Sequence, residues 1–116
     1  MTHQQARRFA LSLPETTEEP HHELSSLRVR GKIFATVPPD GLRLHIFVEE
    51  QQREAAIAVE PVAVENLWWG SKVRGVRVLL ADATSELVTE LLYSAWCHKA
   101  PPAVVKAFAS SSGVGR

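Results

Sequence analysis

The chain has 116 residues, 45% of them hydrophobic and 22% charged, and 13 Lys and Arg balance 13 Asp and Glu to a formal net charge of zero. That length suits one domain with one core, and zero net charge excludes a polycation held to nucleic acid or membrane by its overall field, leaving only local patches for such a role. The single Cys97 excludes an intramolecular disulfide, the opening MTHQQARRFALSLP lacks the apolar stretch of a secretory signal, and no apolar run approaches the ~20 residues of a membrane span; the expected location is the cytoplasm, with no membrane partner.

Thr2 is the expected N-cap of a first helix, His3 to about Leu13, whose Ala6, Phe9, Ala10 and Leu13 recur at helical spacing and should face the core. Pro14 ends it. The following ETTEEPHHE, Glu15–Glu23, is acidic and carries Pro20. A short strand within His21–Leu24 is expected only at a sheet edge, because proline cannot complete a ladder.

The stretch Leu24–Val48 predicts an antiparallel meander. Leu27 and Val29 alternate with Arg28 and Arg30. Arg30-Gly31-Lys32 then breaks the chain where Gly can take the positive φ of a tight hairpin. Ile33–Val37 forms the next strand, and Pro38-Pro39-Asp40-Gly41 the next turn. Leu42, Leu44, Ile46 and Val48 alternate with Arg43, His45 and Phe47, the period of a half-buried strand. One face of this sheet is apolar and the other partly basic, with Phe34 and Phe47 falling on the outer side.

Glu49–Ala58 predicts a second helix with an acidic first turn and a modest apolar face of Ala55, Ala56 and Val59. Pro61 follows it. Val62–Val64 reads as extended and Asn66–Lys72 as a loop or loose hairpin. Val76–Leu80 is the last strand. Asp82–Ser85 supplies capping residues for the longest helix, Ser85–Lys99, whose Leu87, Val88, Leu91, Leu92, Ala95 and Trp96 make the strongest helical stripe and should cover the sheet. Pro101 and Pro102 end it, a short helix follows from Pro102, and the small polar tail Ser110–Arg116 should fray. The expected domain is 1–109, with 110–116 as a flexible tail.

The order FALSLPETTEEP, LRVRGKIFATV, GLRLHIFV, VRVLL, ELVTELLYSAWCHKAP resembles the MmcQ/YjbR family from Ala6 to about Phe108. The pieces that carry it are Leu11–Glu15, the Val29–Ala35 strand pair, and Ala95-Trp96 followed by Ala100-Pro101. The resemblance implies an α/β two-layer (α+β) fold, an antiparallel sheet with helices packed on it, like type III secretion chaperones. It also implies a DNA-binding role through a double-wing arrangement. It supplies no catalytic residues. Leu67–Gly75 departs from the aromatic or His-containing loop that many members carry before the last strand.

Two segments without an acid, Leu24–Pro39 and Asn66–Ala81, are each locally +3, while Glu15–Glu23 is −4. Their cations, Arg28, Arg30, Lys32, Lys72, Arg74 and Arg77, could contact phosphates, with Trp69 stacking on a base. Each tip alone offers two or three charges, so the two must act together or within a homodimer. The competing reading is a solvated strand face, or pairing with Glu15–Glu23. A protein-interaction or chaperone-like module using the same sheet face is the alternative function.

No enzyme motif is present. Cys97 and His98 diverge by about 100° on a helix, which suits packing better than a catalytic dyad. Adjacent His21 and His22 point to opposite sides of a strand. The expectation is no catalytic residue, no metal and no cofactor.

Overall fold

The computed structural model describes residues 1–111. In chain order the elements are α1 (His3–Ser12), β1 (Thr16–His21), β2 (Leu24–Val29), β3 (Lys32–Val37), β4 (Arg43–Ile46), α2 (Glu50–Val59), β5 (Val64–Trp69), β6 (Lys72–Leu79), α3 (Ser85–Lys99) and α4 (Pro102–Ser111). The six strands form one antiparallel sheet in the order β1-β2-β3-β4-β6-β5. The fold is thus the expected single α+β unit with its helices packed on a sheet.

Local chemistry sets the element ends. Thr2 caps α1 by accepting a hydrogen bond from the Gln5 amide at 3.1 Å, and Gln5 returns one from the Thr2 amide at 2.9 Å. This reciprocal pair satisfies two amides that the helix leaves without partners. Thr84 caps α3 through the Leu87 amide. Pro20 sits in β1, an edge strand, where its missing N–H costs no ladder bond. The β2–β3 turn places Arg30 at φ 51° and Gly31 at φ 81°, the pair of left-handed residues that a two-residue hairpin requires.

The core lies between the sheet and the helices. Leu27, Val29, Ala35, Leu44, Ile46, Val76 and Val78 face Val88, Leu91, Leu92, Ala95 and Trp96 of α3, all buried. Each large apolar side chain removed from water here stabilises by ~1.5–3 kcal/mol. Trp96 is fully buried and its indole N–H donates to the Pro14 carbonyl at 3.1 Å, tying α3 to the end of α1. Phe108 of α4 packs edge-on to Trp96, ring centroids 5.6 Å apart.

Two irregularities change which side chains face where. The β2–β3 register slips between Leu27 and Arg28, so that Phe34 is an extra residue on β3. A bulge of this kind turns one residue out of alternation. Phe34, expected on the outer face, is fully buried. The β5–β6 register slips between Leu67 and Trp68, leaving Arg74 as the extra residue on β6. Asn66–Lys72 is accordingly the turn end of a true hairpin.

Other departures are smaller. Leu42 precedes β4 and is exposed, so the alternation starts at Leu44. On α2, Ala56 is buried while Ala55 and Val59 are exposed, and Ile57 packs on the core in their place. The edge strand runs through Thr16–His21 rather than beginning at His21. Ser110 and Ser111 belong to α4; the rest of the expected frayed tail, 112–116, lies outside the described residues. Among the described residues no helix is long and apolar enough to cross a membrane.

Candidate functional site

The helices all cover one face of the sheet, and the other face carries a polar row from edge to edge. Glu19, Ser26, Thr36, His45, Arg77 and Glu65 are successive cross-strand partners. Directly opposed residues of antiparallel strands project to the same side. Ala35, Ile46 and Val76 in the next row are fully buried on the helix side. The period-2 alternation of Arg43, His45 and Phe47 therefore sends these three away from the helices.

Beyond the row of Ala35, Ile46 and Val76 strand β4 stops, while the β2–β3 and β5–β6 hairpins both continue. The two basic turns, Arg30-Gly31 and Gly70-Ser71, thus lie at the same end of the sheet. As β4 leaves, its chain presses against β6 at Gly75. A Cβ on Gly75 would fall on the Ile46 carbonyl oxygen and within 2.8 Å of Phe47 Cα. Glycine here admits the close approach that lets the β5–β6 hairpin rise beside the β4 exit.

Between these parts lies a trough of ≈ 840 Å³. Its floor holds Thr36, His45 and Ile33. Phe47, Trp68, Trp69 and Val73 make apolar walls, Leu24 and the His21-His22 turn close one side, and Arg74, Lys99, His98 and Glu49 stand at the rim. Four of the chain's five histidines line it, yet no group of three His, Cys, Asp or Glu able to hold a metal occurs among the described residues. His98 Nδ1 lies 3.2 Å from the Glu49 carboxylate, the one carboxylate in the lining.

His45 is half-buried. Burial above all, then the nearby Arg77, pushes its pKa below the ordinary histidine value; Asp40 pulls it up and Arg43 pushes it further down. It is a neutral imidazole near pH 7. Its Nδ1 lies 3.4 Å from the Thr36 hydroxyl oxygen.

The seven residues singled out in the sequence divide clearly. Arg74 and Trp69 line the trough, and the Arg74 guanidinium carbon sits 4.7 Å from the Trp69 ring centroid. That geometry is a cation–π contact. Lys72 is Trp69's cross-strand partner at the same tip. Lys32 begins β3 at the neighbouring hairpin. Neither lysine nor Arg74 has a salt bridge among the described residues. Arg30 is paired with Glu15, its Nη2 donating to that carboxylate at 3.2 Å. Arg77 is paired with Glu65 at 3.1 Å. Arg28 donates to the Ser26 hydroxyl at 2.9 Å and to the Pro20 carbonyl at 3.4 Å. Successive strand residues face opposite sides, so the sequence predicts one of Trp68 and Trp69 inward, yet both are exposed, at 60% and 70%. Next to the β6 bulge the hairpin tip stands clear of the core, and both indoles face solvent.

Thr36, His45, Phe47, His98 and Lys99 were not singled out as a site in the sequence. The alternation around His45 signals its face; nothing local to α3 signals that its last turn reaches the β4 exit.

The YjbR family model matches residues 11–98. The chain belongs to the YjbR family. The matched span contains all six strands and nearly all of α3, hence every trough residue named above except Lys99. No curated protein and no solved structure matches the chain.

Proposed function

We propose that this YjbR-family protein is a non-enzymatic nucleic-acid-binding protein, and that DNA contacts the tip of the β5–β6 hairpin. The observation that carries the reading is Arg74 stacked on a solvent-exposed Trp69 beside Lys72, with no carboxylate paired to either cation among the described residues. A guanidinium held against an indole keeps its N–H donors for a phosphate, and the open indole face can stack on a base. Lys32, at the same end of the sheet, adds a further cation. Arg28, Arg30 and Arg77 would join only by exchanging their present partners. With about three free cations, affinity is modest, and log affinity falls with log salt with a shallow slope of roughly −2 to −3.

Fluorescence anisotropy with labelled DNA oligonucleotides at low salt, read alongside Trp69 emission, tests this. Binding should quench the indole and should be lost on charge reversal at Lys72 and Arg74. Absence of binding at micromolar protein, or indifference to both reversals, would overturn the reading.

A second reading, a protein-interaction module or homodimer, is favoured by the contrast between the two sheet edges. Strand β1 is guarded by Pro20 and by Glu18 and Glu19, whereas β5 has no proline and ends in two exposed tryptophans. Unguarded edge strands invite pairing with another strand. Sedimentation velocity over a concentration series distinguishes a self-associating chain from a monomer.

A further inference from the structure

We propose that the trough takes up an unpaired nucleobase, with the Thr36–His45 pair on its floor as the reading element, so that the preferred ligand is single-stranded. This rests on the nucleic-acid reading above and narrows it.

The tip alone could meet either form of nucleic acid, because phosphates are common to both. The trough could not. In a duplex the bases are stacked and paired, and a concave site receives a base only when it is splayed out of the stack. The ≈ 840 Å³ trough begins where Arg74 and Trp69 stand, so it continues directly from the phosphate-contacting tip. Its lining includes the aromatic rings of Phe47, Trp68 and Trp69, and stacking on such rings tolerates any base.

The floor differs from the walls in chemistry. His45 is kept neutral by burial and by the adjacent arginines, so it meets a ligand as a hydrogen-bonding group rather than as a counter-charge. One ring nitrogen is directed at Thr36. The other, Nε2, has no hydrogen-bond partner among the described residues and is not among the sealed, unsatisfied side-chain atoms. It is therefore not sealed from solvent, and His45 lines the trough. A ring with one nitrogen tethered and the other free has a fixed orientation and a free hydrogen-bonding position. The Watson–Crick edge of a flipped base carries matching donors and acceptors.

Charge at the rim agrees with an anionic chain. Arg74 and Lys99 border the trough, and its one carboxylate, Glu49, is already held by His98.

The experiment compares a short single strand with the duplex of the same sequence at low salt, for the wild type and for His45→Ala. The single strand should bind about ten-fold more tightly than the duplex, in line with the gain from stacking a base. His45→Ala should lose several-fold in single-strand affinity and leave duplex affinity unchanged, with circular dichroism reporting the fold. Should His45→Ala fail to fold, His45→Gln and Phe47→Ala carry the same comparison. Equal affinity for both forms, or single-strand binding unchanged in folded His45 variants, overturns the trough proposal while leaving the tip reading standing. Binding of neither form removes both.

Discussion

The β2–β3 and β5–β6 hairpins end at the same end of the sheet and each carry three cations, yet those cations meet different fates. At the first tip Arg30 is captured by Glu15, which α1 and its following turn bring alongside. At the second, Arg74 is thrown out of alternation by a bulge and lands on Trp69. An acid-free stretch of sequence therefore says little about whether its cations are free. What decides is the segment that packs beside it. Here β1, within the acidic Glu15–Glu23 segment, pairs with β2 and places Glu15 within reach of Arg30; a second acid, Glu65, comes from β5 itself and holds Arg77 across the ladder.

The largest effect should come from cutting into the core beneath the sheet from which both hairpins extend. Leu91 is 3% exposed beneath the sheet. Leu91→Ala should cost ~2–5 kcal/mol, the range for a buried leucine that leaves a cavity, measured by chemical denaturation. A loss below ~1 kcal/mol, typical of an exposed site, would place the α3 face elsewhere.

Next, one glycine in each hairpin separates the two. Gly75→Ala forces a methyl into the β4 backbone, and overpacking of this kind costs about 1–3 kcal/mol. Gly31→Ala meets nothing within 4 Å and suffers only its φ of 81°, a strain of about 1 kcal/mol. Gly75→Ala should be the more destabilising, and it should also disturb Trp69 emission, since the hairpin must tilt away from β4. The reverse order in thermal melts would mean that the β4 exit yields easily.

Most of the scaffold was legible in the sequence because it is written in periods. The stripe of Val88, Leu91, Leu92, Ala95 and Trp96 and the alternation of Leu44 and Ile46 each specify a face by themselves. The two bulges were not legible. An inserted residue costs one ladder pairing and leaves composition unchanged, so Phe34 read as outward and the two tryptophans as an in-and-out pair. The cations of the candidate site were visible as residue types, but their partners were not, because Glu15 meets Arg30 only after β1 pairs with β2. The trough was least visible of all. It is assembled from β3, β4, the β5–β6 tip and the last turn of α3, and no local pattern joins His45 to Lys99.

A third test asks whether the tips differ in binding as they do in partnering. Arg74→Glu should weaken DNA binding by about ten-fold or more, since it removes a phosphate contact and adds a repelling charge beside the stacking indole. Arg30→Glu should weaken it less, because that guanidinium is already occupied. Anisotropy titrations at one low salt concentration compare them. Equal losses would return Arg30 to the interface and make the two hairpins equivalent wings.

The finest test frees the captured tip. Glu15 carries a carboxyl held below the usual carboxylate range, chiefly by the hydrogen bond from Arg30; desolvation opposes this, and the Arg30 charge adds a smaller lowering. A depressed carboxyl keeps its ion pair above the unfolded value and gives it up only as pH falls through the lowered one. The pair is therefore intact at neutral pH, and acid strong enough to break it would also protonate bases. Glu15→Gln removes the charge without the acid. Arg30 and Lys32 then form a free basic tip at the same end of the sheet as Lys72 and Arg74. A strand that spans both tips gains about one phosphate contact, so the dependence of log affinity on log salt should steepen by roughly 0.7 to 0.9. Titrations at four or five salt concentrations measure that slope. An unchanged slope would mean that a nucleic acid held at the β5–β6 tip does not reach the β2–β3 turn, and that the two hairpins share an end of the sheet without sharing a ligand.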